Sequence, residues 1–127
     1  MVVGVGLDLV EIARVDRMIA SLGDRMFARL FSAGEAGYIQ SKPLPGQHAA
    51  VRLAAKEAAF KALAGNELAR RISWRDVEVV SDDRGIPSIL LHGVAEERAR
   101  ELGVSRIHVS LSHTQGMAGA VVILSAD

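Results

Sequence analysis

Three groups of residues in this chain are of types, and at spacings, that could do chemistry. Asp8 ends the apolar run Val2-Val3-Gly4-Val5-Gly6-Leu7-Asp8. Glu57 and Lys61 sit one helical turn apart in an Ala-rich stretch that also carries Arg52 and Lys56. His108-Val109-Ser110-Leu111-Ser112-His113-Thr114 places hydroxyls and imidazoles at a strand end. If Asp8 and Glu57 converge, they make a pair of hard oxygen ligands of the kind magnesium takes, completed by water and phosphate oxygens. Lys61 would then aim its charge at the same phosphates. Serine hydroxyls and an imidazole at a strand end suit a phosphate contact. Each group also has a plainer explanation: Asp8 as a turn acceptor, Glu57–Lys61 as an exposed i,i+4 ion pair worth about 0.2–0.5 kcal/mol, and the His/Ser run as a solvated strand end. Spacing does not decide between them.

The elements that must position these residues follow from periodicity. In Val2–Val10, Val3, Val5, Leu7 and Leu9 share one face of a strand, and Gly4, Gly6 and Asp8 share the other. The glycine face is bare, so a helix backbone or a ligand can lie close against it. Ile12, Val15, Ile19 and Leu22 fall at helical spacing up to Gly23-Asp24, and a second short helix runs to about Phe31. Ser32 with Glu35 has the form of a capping box, opening a third helix through about Gln40. Lys42-Pro43-Leu44-Pro45-Gly46 reads as a loop. The stretch from about Gln47 to Ala64 is the longest helix, apolar around most of its circumference and so expected to be largely buried. Val77–Val80 and Ile86–Leu91 flank a turn and read as a hairpin; Gly93–Leu102 is a helix stopped by Gly103; Ile107–Ser112 and Met117–Leu124 form a second strand pair. This order predicts a single α+β domain over residues 1–127, a small antiparallel sheet with one long and several short helices. Met117–Leu124 is apolar or small on both faces, which requires helices on two sides or a neighbouring subunit.

Composition removes several function classes. The 15 Lys+Arg balance 15 Asp+Glu, so no general positive field exists to hold nucleic acid. The chain has no cysteine, which excludes disulfides and thiolate metal sites. Gly4-Val5-Gly6 lacks the third glycine of a dinucleotide fingerprint, and there is no Gly-x-x-x-x-Gly-Lys-Ser/Thr loop, zinc spacing among the four histidines, or Gly-x-Ser-x-Gly elbow. No uncharged run approaches the ~20 residues of a spanning helix. A soluble, cytoplasmic protein without membrane or nucleic-acid partners is the resulting expectation.

Taken in order, Gly6-Leu7-Asp8-Leu9-Val10-Glu11-Ile12-Ala13-Arg14, Arg52-Leu53-Ala54-Ala55-Lys56-Glu57-Ala58-Ala59-Phe60-Lys61-Ala62 and His108-Val109-Ser110-Leu111-Ser112-His113 closely resemble the holo-[acyl-carrier-protein] synthase family, the short-chain 4′-phosphopantetheinyl transferases. The resemblance spans nearly the whole chain, and Lys-Glu-Ala-x-x-Lys-Ala is its most specific part. It implies transfer of the phosphopantetheine arm of coenzyme A to a serine of apo acyl carrier protein, with release of adenosine 3′,5′-bisphosphate. Asp8, Glu57 and Lys61 are then the catalytic set, and Asp8 and Glu57 the magnesium ligands. Arg52, Lys61, Gly65, Pro87, Ser112 and His113 contact coenzyme A, with Pro87 bordering the adenine. A metal-bound water, or a carboxylate beside it, takes the serine proton. The resemblance further implies a homotrimer with sites at subunit boundaries, where His113 and the Gly85-Ile86-Pro87 turn come from the neighbour. Leu53 where an aromatic is common, Ala64-Gly65-Asn66 in place of a more glycine-rich turn, and Ile86 in place of a basic residue depart from the pattern around the adenine. For an acidic carrier protein, Arg14, Met18, Arg25 and Arg29 share a face if their helices are nearly collinear, giving a basic stripe with one apolar anchor. The rival readings are a carrier-binding module that has lost catalysis and a different magnesium-dependent nucleotide enzyme. The intact Asp8, Glu57 and Lys61 argue against the first, and no positive motif supports the second.

Overall fold

The computed structural model describes residues 1–127. Strand β1 (Val2–Glu11) leads into three short helices, α1 (Ile12–Leu22), α2 (Asp24–Leu30) and α3 (Ala33–Gln40), and then the long helix α4 (Pro45–Leu63). Two single turns of 3-10 helix (Ala69–Arg71 and Trp74–Asp76) precede the hairpin β2 (Val77–Ser81) and β3 (Pro87–Leu91). Helix α5 (Gly93–Leu102) and the strands β4 (Arg106–His113) and β5 (Met117–Ser125) complete the chain. The sheet expected from the sequence is two separate sheets. β1, β5 and β4 form a three-stranded antiparallel sheet with β5 in the centre, and β2 pairs only with β3.

The glycine face of β1 explains how α4 meets the sheet. A Cβ on Gly6 would lie 1.7 Å from the Ala58 carbonyl oxygen, and one on Gly4 would lie 2.3 Å from that of Ala62. Only glycine permits this approach, and it carries Asp8, two residues further along the same face, to the flank of α4. Across the register, Gly6 faces Val122 and Asp8 faces Ala120, so the small or apolar residues Ala118, Ala120, Val122 and Leu124 are buried under the same helix. The other face of the sheet has no cover within the chain. Val5, Leu7 and Leu9 stand exposed there, beside Val121 and Ile123.

Helix α4 is buried around nearly its whole circumference, as its apolar composition requires. It begins at Pro45 rather than after Gly46, so the expected loop is shorter by two residues. Pro45 occupies the first turn, where its missing N–H is not needed. The Ser32/Glu35 capping box is formed in both directions, with Glu35 N donating to Ser32 Oγ at 3.1 Å and Ser32 N to Glu35 Oε1 at 2.8 Å. Glu35 has a second role that the local motif conceals. Its carboxylate also meets the Lys56 ammonium at 2.9 Å, both side chains being fully buried, and accepts the Val79 N–H at 2.9 Å. Lys56 Nζ donates further to the carbonyls of Trp74 and Val77. One buried ion pair therefore ties together α3, α4, the second 3-10 turn and β2. Burial lowers the Lys56 pKa, and Glu35 opposes that shift. No helix is long and apolar enough to cross a membrane.

Candidate active site

Asp8 and Glu57 do converge. Lys61 Nζ donates to Asp8 Oδ1 and to the Leu7 carbonyl, each at 2.9 Å. The ammonium of Lys61 thus pairs with Asp8 on the neighbouring strand rather than with Glu57 a turn before it. Asp8 is 12% exposed, and its second oxygen, Oδ2, is buried and receives no hydrogen bond while both carboxylates are ionised. Burial pushes the Glu57 pKa up to about 7, reinforced by a hydrogen bond to Asp8 and by its charge; Arg14 and then Lys61 pull the other way. Two carboxylates close enough to share a proton, one oxygen unsatisfied, and two cations nearby form a site in need of positive charge. Two carboxylates from the protein, with no third acidic or imidazole ligand, match the donor set of magnesium, which keeps its remaining positions for water and phosphate oxygens. The residues fit that ion.

A second cluster forms at the other end of α4. Arg52 is 4% exposed, and its Nε has no partner. Its other nitrogens reach the His48 carbonyl and Ser81 Oγ, each at 3.4 Å. The guanidinium lies 4.2 Å from the centre of the Tyr38 ring, and Lys42 Nζ lies 4.6 Å from it. Arg52 and Tyr38 form one side of a cleft of about 300 Å³ whose other lining includes Ser81, Gly85, Pro87 and Ser110. His48 is held below its usual pKa, first by burial and then by Arg52, Lys42 and His113. His113 itself bonds Gln47 through Nε2 at 2.9 Å, so within one chain it belongs to this cationic cluster and not to the Asp8/Glu57 pair. Ser112 is exposed on β4 opposite Gly119, on the uncovered face of the sheet. Gly65 lines a third cleft with Phe60 and Asn66.

Tyr38, Lys42, Gln47 and His48 were not among the sequence candidates. The four-residue spacing of His48 and Arg52 was a readable signal that two basic side chains share a face of α4; Lys42 lies past the end of α3, and no local spacing marked it or Tyr38. Of the expected basic stripe, Met18, Arg25 and Arg29 line one groove of about 430 Å³ with Leu22, Met26, Leu30 and Trp74. Arg14 is not part of that lining. Its charge also acts on Glu57.

A fold in which a glycine-faced strand brings an aspartate to a Lys-Glu-Ala-x-x-Lys helix defines a class. The chain belongs to the 4′-phosphopantetheinyl transferase superfamily, whose family model matches residues 4–121. Within it, the chain falls with the holo-[acyl-carrier-protein] synthases. It is 44% identical to that enzyme of Geobacter sp. (strain M21) over 124 residues, covering 98% of each chain. The acyl carrier protein synthase of Mycobacterium tuberculosis superposes with a TM-score of 0.75 at 37% identity, covering 100% of both chains. The holo-(acyl-carrier-protein) synthase of Bacillus anthracis, solved in complex with CoA (3′,5′-ADP), superposes with a TM-score of 0.79 at 29% identity, covering 100% of this chain and 99% of that one.

Proposed function

We propose that the chain transfers 4′-phosphopantetheine from coenzyme A to a serine hydroxyl of apo acyl carrier protein, with magnesium held by Asp8 and Glu57, and releases adenosine 3′,5′-bisphosphate. The observation that carries this reading is the unsatisfied Asp8 Oδ2 beside a Glu57 carboxyl raised to about 7. Bound there, a divalent cation supplies charge neutralisation on the pyrophosphate during phosphoryl transfer. Lys61, anchored by Asp8 and the Leu7 carbonyl, holds a cation beside those carboxylates for the phosphate that leaves. The buried Arg52, with a free Nε and a cleft in front of it, is suited to a further phosphate of coenzyme A. The experiment is incubation with apo carrier protein, coenzyme A and magnesium, followed by the mass of the carrier. Gain of one phosphopantetheine supports the reading, and an unchanged carrier mass sinks it.

In one chain the Arg52 cleft shares no lining residue with the Asp8/Glu57 pair. A second copy completes the site in this proposal, and the uncovered apolar face around Leu7, Leu9 and Val121 is where copies meet. The number proposed is three, as the family resemblance implies. Light scattering is expected to give the mass of a trimer, and Leu7→Glu to give a smaller species; a wild-type monomer would reject this arrangement.

The groove of Met18, Arg25, Arg29 and Trp74 is the proposed seat of the carrier, apolar at its lining and cationic at two positions. Arg14→Glu is a poor probe of it, because Arg14 also acts on Glu57. Arg25→Glu is expected to raise KM for the carrier about tenfold and to leave coenzyme A affinity unchanged. An unaltered carrier KM would remove the groove from the docking surface.

A further inference from the structure

Helix α4 ends at Leu63, and its last carbonyls need donors that the helix cannot supply. The Ala64 N–H serves the Lys61 carbonyl, and for Leu63 and the Ala64 cap the donors come from another element. Arg98 on α5 is buried, donating from Nε to the Leu63 carbonyl at 2.7 Å and from Nη2 to the Ala64 carbonyl at 3.1 Å. Its third nitrogen, Nη1, holds Glu101 Oε1 at 3.2 Å. That same oxygen accepts from Asn66 Nδ2 at 2.9 Å, and Asn66 Oδ1 accepts the Ala69 N–H at 2.9 Å. The hydrogen bonds from Asn66, and then from Arg98, hold the Glu101 carboxyl below its usual range. Gly65 rests directly over the guanidinium, since a Cβ there would lie 3.3 Å from Nη2. One arginine thus fixes both ends of the turn that leaves α4, directly at Leu63 and Ala64 and through Glu101 and Asn66 at Ala69.

The turn has a use beyond ending the helix. Phe60, Ala64, Gly65 and Asn66 line a cleft of about 630 Å³. Ala64 lies three residues past Lys61 and seven past Glu57, so the cleft, which neither of them lines, lies just beyond the face of α4 that carries both. A part of coenzyme A that runs from Asp8, Glu57 and Lys61 toward the C-terminal end of α4, away from Arg52, would meet this wall.

We propose that Arg98 is a positioning residue for coenzyme A: by holding the Ala64–Asn66 turn through the Leu63 and Ala64 carbonyls and the Glu101–Asn66 relay, it sets the wall of the cleft beside Lys61. The proposal rests on the coenzyme A reading above. Arg98 touches neither substrate nor the carboxylate pair, and its effect is on where the turn sits.

The alternative is a plain helix cap, and two variants separate them. Arg98→Lys keeps a cation at the C-terminus of α4, which preserves the favourable charge at that helix end, but loses the fork that reaches two carbonyls and Glu101 at once. Arg98→Leu removes charge and fork together. For both, coenzyme A affinity by calorimetry is expected to weaken about tenfold, with KM for the carrier within twofold of wild type. Amide exchange at Gly65–Ala69 should accelerate in the same variants. A lysine variant that folds as stably as wild type and binds coenzyme A equally well would reduce Arg98 to a cap and overturn the proposal, as would unchanged exchange in that turn. If Arg98→Leu fails to fold, the lysine variant decides alone. Wild-type protein that binds no coenzyme A would overturn the parent reading and the ligand named here, while the exchange data still report separately whether Arg98 holds the turn.

Discussion

Glu57→Gln is expected to lower the rate of phosphopantetheine transfer by about 10²–10³ while making the folded chain more stable at neutral pH. The two effects share a cause. The Glu57 carboxyl is desolvated against the negative charge of Asp8, which raises its pKa from 4.5 to about 7. Its folded-state pKa therefore lies above its unfolded value, and between the two the folded protein binds more protons than the unfolded one. Stability contributed by this group is full below about pH 4.5 and is lost as pH rises through about 7. Glutamine cannot ionise, so it escapes that loss. It is also a much poorer ligand for a divalent cation than a carboxylate, so under the proposed function the site would hold that cation more weakly. Transfer assays at saturating magnesium, with urea denaturation in chelator across pH 5 to 8, measure both sides. Activity within twofold of wild type would remove Glu57 from the metal site. A stability profile that rises with pH and is the same in both proteins would contradict the charge repulsion. Because protons and the cation compete for Glu57, magnesium affinity should fall as pH drops below about 7.

The local signals of this site are legible in the sequence, and the pairings are not. Gly4 and Gly6 announced a bare strand face, and the structure fills it with the backbone of α4 at distances no side chain would permit. The length and burial of α4, the Ser32/Glu35 box and both hairpins follow from patterns within a few residues of one another. What the sequence leaves open is which of several equivalent charges meets which. Lys61 stands four residues from Glu57, the favourable helical spacing, yet bonds Asp8 because β1 lies against that side of the helix. Glu35 satisfies its local motif with one oxygen and anchors Lys56 with the same carboxylate, a contact that only the packing of α3 on α4 creates. Arg14 stands one turn before Met18 on α1, and because α1 begins directly after β1 its charge also reaches Glu57, a second contact that the row of arginines does not announce. The departure at Pro45 has the same character. Proline ends helices when met from within and begins them when met at the first turn, and the residues around it do not say which.

The buried pair beneath the site supplies the largest stability effect expected here. Lys56→Met should destabilise the chain by about 3–5 kcal/mol, because it leaves the Glu35 carboxylate buried with backbone N–H groups alone to hold its charge. The double variant Glu35→Gln/Lys56→Met removes both charges, keeps an acceptor for the Ser32 or Val79 amide, and should recover a large part of that loss. Recovery cannot be complete, since the carbonyls of Trp74 and Val77 lose the ammonium that both use. The cycle of wild type, two singles and the double, followed by urea denaturation, isolates the pair from these side effects. Additive losses would mean that Lys56 serves mainly the two carbonyls and that Glu35 is held well enough by its amides. A favourable coupling of more than about 1 kcal/mol would show that the ion pair itself holds β2 against α4. That distinction reaches the chemistry, because Lys56 is adjacent to Glu57 and one turn from Arg52, while β2 carries Ser81 toward the Arg52 cleft. A chain in which this pair is loosened should therefore lose the relative placement of its two cationic and acidic clusters before it loses either cluster.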